Sequence, residues 1–96
     1  MQIKVSNKAL NWYKNELSLH EGDCVRFFVR YGGFNCFVTG YSLGIKKEQP
    51  ERPGIVLKKD GITFFMEEDD VWYLDQKDLV IEFNETLDEP EFKQAV

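Results

Sequence analysis

The sequence predicts a small α+β domain, and three observations carry that prediction. Phe27, Val29 and Tyr31, followed by Phe37, Thr39, Tyr41, Leu43 and Ile45, recur at period two, as side chains on one face of a strand do. Leu10, Tyr13 and Leu17, with Ala9 and Trp12 beside them, instead follow helical spacing. Asp60-Gly61 sits between two apolar runs, which is a hairpin signal. With 43% hydrophobic and 15% aromatic residues, a chain of 96 residues has enough apolar surface for one core. No repeat or linker divides it, so one domain over residues 1–96 is expected.

The elements follow in order. Ile3 and Val5 alternate with polar neighbours and form a short first strand. Ser6 is placed to cap a helix reaching to about Leu19, because its hydroxyl can accept from an orphan backbone amide. His20 follows alone, with no partner at metal-ligand spacing, as an exposed or C-capping residue. Gly22-Asp23 turns the chain into a strand from Val25 to Tyr31, with Arg26, Phe28 and Arg30 on its second face. Gly32-Gly33 breaks that strand, and the next runs from Phe37 to Ile45. Gly40 and Gly44 share its other face, where a bend or a close backbone approach is expected.

Residues 46–54, KKEQPERPG, form an exposed loop, since two prolines exclude a central strand. Ile55, Val56 and Leu57 open a strand, and Ile62 to Met66 return after the Asp-Gly turn. Glu67-Glu68-Asp69-Asp70 precede Val71, Trp72 and Leu74, which reads as a short helix with its acids at the positive end of the dipole. Consecutive side chains on a helix diverge, so capping is favoured over cation binding for these four carboxylates. A last strand, Leu79 to Phe83, leads into an acidic tail in which Phe92 can anchor a loose end.

Charge is unevenly distributed. Residues 1–59 carry ten Lys/Arg and five Asp/Glu, net +5, and residues 60–96 carry two and twelve, net −10, together the overall −5. So acidic a second half repels a phosphate backbone, so nucleic acid is not an expected partner. Arg26, Arg30, Lys46, Lys47 and Arg52 would have to cluster to overturn that. No apolar run approaches the roughly 20 residues of a membrane-spanning helix. The start MQIKVSNKAL lacks the apolar core of a signal peptide, so a cytoplasmic protein is expected.

Motifs for ordinary catalysis are missing. There is no G-x-S-x-G or H-E-x-x-H, and Gly32-Gly33 lacks the lysine and Ser/Thr of a phosphate loop. A non-enzymatic role is expected. The candidate site is the loop Tyr31-Gly32-Gly33-Phe34-Asn35-Cys36, which combines aromatics, glycines and one thiol with little charge. Cys24, at the entrance of a strand, reads as a half-buried structural thiol. Cys36 in the loop is the more reachable one. Structural zinc and iron-sulfur sites take about four ligands, so one thiol per chain needs a second copy or an external thiol to complete a site.

The order of the segments resembles the HesB-like family, which includes the A-type iron-sulfur cluster carriers. The residues that carry this are the Ser6–Tyr13 helix pattern, Val29-Arg30-Tyr31-Gly32-Gly33, Tyr41-Ser42-Leu43-Gly44, the Lys59-Asp60-Gly61-Ile62 hairpin and Val71-Trp72-Tyr73-Leu74-Asp75. They look closest to a short, Gram-positive-type branch. The resemblance implies a mixed sheet curled into a partial barrel, with the N-terminal helix and a short second helix. It also implies a role in iron-sulfur cluster assembly. Iron or a shared cluster would be held through Cys36, and the partners would be assembly proteins or a second copy of the chain. The family's carriers add a C-terminal Cys-Gly-Cys, whereas residues 84–96 here hold no cysteine. Two alternatives stay open: an interaction module that kept the fold without the metal site, and a redox-responsive thiol protein acting through Cys36.

Overall fold

The structure, a computed structural model, describes residues 1–33 and 37–95. The elements are β1 (Ile3–Val5), α1 (Asn7–Glu16), β2 (Cys24–Tyr31), β3 (Tyr41–Lys47), β4 (Pro53–Lys59) and β5 (Ile62–Glu67). A 3-10 helix (Glu68–Leu74) and then β6 (Asp78–Asn84) and β7 (Glu89–Ala95) complete the chain. The strands pair as two sheets, β1-β6-β7 and β3-β2-β5-β4. β1–β6 and β2–β5 are parallel, and the other pairs are antiparallel. The α+β class with two helices therefore holds. No closed barrel is found among the described residues, and the expected partial barrel is not confirmed. β1 does approach β4, where Lys59 Nζ donates to the Val5 carbonyl at 2.6 Å.

Local chemistry explains the frame. The Ser6 hydroxyl accepts from Ala9 N at 3.2 Å, the expected N-cap. α1 buries Ala9, Leu10 and Tyr13 against the inner faces of the sheets. There Phe27 and Phe64 stack at 5.9 Å and 11°, with Tyr13 and Phe92 edge-on to Phe27 at 6.3 and 5.7 Å. The hairpin at Asp60 and Gly61 takes φ of 54° and 76°, the paired positive values of a tight two-residue turn. Gly44 provides the close approach anticipated there, since a Cβ would lie 2.5 Å from the Phe28 ring.

Three expectations need correction. α1 stops at Glu16 rather than Leu19, because Ser18 adopts φ 51° and leaves the helical path. β3 starts at Tyr41 rather than Phe37: residues 37–40 bend and turn, and Gly40 at φ 89° ends the turn. The tail is not loose. Residues Glu89–Ala95 form a full strand on β6, fixed by the partly buried Phe92 packed against the core and by Lys93–Glu82 and Asn84–Glu91 contacts of 2.9 Å.

Candidate functional site

The loop singled out in the sequence is closed by backbone. Tyr31 and Tyr41 end the β2–β3 ladder, and Gly32 N donates to the Gly40 carbonyl at 2.7 Å. Gly32 and Gly33 both hold positive φ, and a side chain on Gly33 would collide with Ser42 Oγ. From behind, the fully buried Tyr73 of the 3-10 helix fastens the far side. Its hydroxyl donates to the Tyr41 carbonyl at 2.8 Å and accepts from Phe37 N at 3.0 Å, while the two rings lie 5.4 Å apart.

This scaffold presents an aromatic face. Tyr31 is 86% exposed and Trp72 52% exposed, and half-buried Tyr41 stands between them. The Tyr31–Tyr41 and Tyr41–Trp72 pairs are edge-on, at 5.8 and 5.6 Å with 90° between planes, the geometry that ring quadrupoles favour. β2, β3 and the 3-10 helix each supply one ring. Arg26 ties the first to the third: Nη1 donates to Glu48 at 2.8 Å and Nη2 to Asp70 at 2.9 Å. Hydrogen bonding from Arg26 holds the Glu48 carboxyl below its ordinary pKa. The acidic run thus braces loops as well as opening a helix, since Glu67 also accepts from the backbone amides of Glu51 and Arg52 at 3.2–3.3 Å.

Of the site residues expected from sequence, Tyr31, Gly32 and Gly33 lie in this arrangement. Phe34, Asn35 and Cys36 fall outside the described residues. Sequence reasoning missed Trp72, Tyr41 and Tyr73 as members of the site, because 31 residues separate Tyr41 from Trp72 and only the fold joins them. A tryptophan just after the charged run Glu67–Asp70 was the signal that the sequence offered.

The residues that are described do not fit a metal or cluster. No group of three or more His, Cys, Asp or Glu that could hold an ion is found among them. Cys24 is half-buried, with Sγ 3.8 Å from Gln49 Oε1 and 4.0 Å from the Gly22 carbonyl. His20 is exposed. The basic residues considered for a patch are countered instead: Arg26, Lys46, Lys47 and Arg52 each pair with a carboxylate. No helix among the described residues is long and apolar enough to cross a membrane.

The chain is similar to several known proteins over nearly its whole length. A protein of Bacillus subtilis named pyruvate dehydrogenase inhibitor is 50% identical over 97% of this chain and 98% of its own length. An uncharacterised protein of Staphylococcus saprophyticus is 39% identical over 93% of this chain and 94% of its own. A solution structure of an Aquifex aeolicus protein superposes with a TM-score of 0.56 at 19% identity, covering 100% of this chain and 95% of that one, which supports the fold alone. A family profile described as iron-sulphur cluster biosynthesis matches residues 1–95. The chain belongs to that family, the HesB-like proteins.

Proposed function

We propose that this chain is a non-enzymatic, cytoplasmic regulator that binds pyruvate dehydrogenase and inhibits it through the aromatic face Tyr31–Tyr41–Trp72. The observation that carries the reading is the exposure of two large aromatics on a braced scaffold. Isolated exposed apolar residues need no explanation, but a fixed cluster with tyrosine and tryptophan is the composition of an interface hot spot. Rigid rings lose little conformational entropy on docking, so their contact area converts efficiently into affinity. The name of the Bacillus relative, at 50% identity over nearly the full length, supports the choice of partner. The test is to add the purified protein to purified pyruvate dehydrogenase complex and measure turnover and binding together. Saturable inhibition with stoichiometric binding supports the reading, and full activity at saturating protein contradicts it.

The family profile supports a second reading, a role in iron-sulfur assembly, for which we propose Cys36 as the ligand. With one thiol in the loop and no cysteine after it, the remaining ligands would come from an assembly protein or a second copy of this chain. Anaerobic reconstitution followed by iron and sulfide analysis tests it, with Cys36→Ser alongside. Iron bound to the wild type and absent from the variant supports a shared cluster. No bound iron in either form removes it.

A further inference from the structure

Away from the aromatic face, β3 and β7 each form one edge of their sheet, and both border an open cavity of about 320 Å³. That is the lower end of the roughly 300–1,000 Å³ range of small-molecule sites. The cavity shares no residue with the aromatic trio. Its walls include the buried Leu43 and the partly covered Trp12, Ile45 and Phe92, all apolar. Tyr13 borders it too, and Tyr13 is 2% exposed. No hydrogen bond to the Tyr13 hydroxyl is found among the described residues, and this oxygen is not among the buried side-chain atoms left without a partner, so it keeps access to space outside the packed core. The cavity is where that hydroxyl can find a partner.

Two charges complete the lining. Arg30 and Glu89 are exposed, on β2 and β7, and both border the cavity. Neither forms an ion pair among the described residues, with each other or with anything else. This sets Arg30 apart from Arg26, Lys46, Lys47 and Arg52, which are all neutralised by carboxylates. The cavity therefore offers a guanidinium and a hydroxyl that donate hydrogens, a carboxylate that accepts them, and an apolar enclosure. A carboxylate, an ammonium group and a hydrocarbon side chain on one small molecule match all of these.

From this we infer that the cavity between β3 and β7 is a binding site for a free α-amino acid with an apolar or aromatic side chain. The ligand's carboxylate is recognised by Arg30 and Tyr13, its ammonium by Glu89, and its side chain by the Trp12–Phe92 wall. The site is independent of the reading of the aromatic face and stands whether or not pyruvate dehydrogenase is the partner.

Calorimetric titration with L-phenylalanine and L-leucine tests the inference, with 3-phenylpropionate and phenethylamine as probes lacking one charge each. Amide chemical shifts locate any binding. The expected result is that an amino acid binds at the cavity and that each single-charge probe binds about tenfold more weakly or worse. Arg30→Gln and Glu89→Gln lower amino-acid affinity by a similar factor, and Tyr13→Phe, which removes one oxygen from a folded core, lowers it severalfold. Glu89→Gln also makes L-phenylalanine and 3-phenylpropionate equivalent. Absence of binding at millimolar amino acid overturns the inference. So does equal binding of the probe without an ammonium group, or shift changes confined to residues outside the cavity.

Discussion

Two aromatic clusters use the same chemistry to opposite ends. Tyr13, Phe27, Phe64 and Phe92 meet edge-on or stacked where α1 crosses the sheets, and the first three are fully enclosed. Tyr31, Tyr41 and Trp72 meet edge-on as well, yet two of the three stand in solvent. Ring geometry alone does not separate them. Burial does: the first set gains from leaving water, while the second keeps most of its apolar area in reserve. Tyr73 joins the two regimes, buried in the core while its hydroxyl steers the loop under the exposed rings.

The sharpest way to break this contrast is to truncate one ring from each cluster. Phe64→Ala removes a fully buried ring and should cost about 3–5 kcal/mol, a large share of an ordinary domain's stability. Urea unfolding followed by circular dichroism reads this directly. Tyr73→Phe comes next. It keeps the ring but strips the Phe37 amide and Tyr41 carbonyl of their partner, for about 1–3 kcal/mol. Hydrogen exchange at Phe37 should quicken by more than exchange in β6, which shows that the loop rather than the core has loosened. Ser6→Ala, with loss of the α1 cap, should cost about 1 kcal/mol without touching the aromatic face. Trp72→Ala should cost about 1 kcal/mol, far less than a fully buried ring, because half of the side chain is already wet.

Titration sharpens the same contrast. Burial pushes the Tyr13 phenol well above its ordinary pKa, so the folded state keeps a proton that the unfolded chain releases. The associated stability is whole below the unfolded value of about 10 and falls as pH rises past it. Tyr13→Phe should flatten that alkaline decline in melting temperature. In the acid direction, Glu48, Asp60 and Glu91 all have pKa values lowered by their partners, chiefly Arg26, Lys14 and Asn84 respectively. Their contribution is present above the ordinary carboxylate range and is lost as pH falls through the lowered values. Being exposed or only partly covered, these groups should produce a shallow slope.

Much of this frame was legible in the residues themselves. Ser6, the Leu10–Tyr13 stripe and Asp60-Gly61 each act through local geometry, so each was readable from neighbours a few positions away. β7 was not, because Glu89, Glu91 and Lys93 look like a solvated tail until β6 supplies Lys93 with Glu82 and Glu91 with Asn84. The period-two pattern through Phe37 and Thr39 misled for a related reason. Phe37 owes its partly buried position to packing against the tilted ring of Tyr73 and not to a strand ladder. The loop of the candidate site was found from its glycines, whereas Trp72 could be added only by folding.

The measurement that tests the central claim most directly compares wild type and Trp72→Ala as inhibitors of purified pyruvate dehydrogenase complex, with unfolding midpoints recorded on the same samples. The account predicts that Trp72→Ala weakens inhibition by about tenfold or more while its midpoint stays near that of the wild type. Undiminished inhibition by a folded Trp72→Ala protein would contradict it.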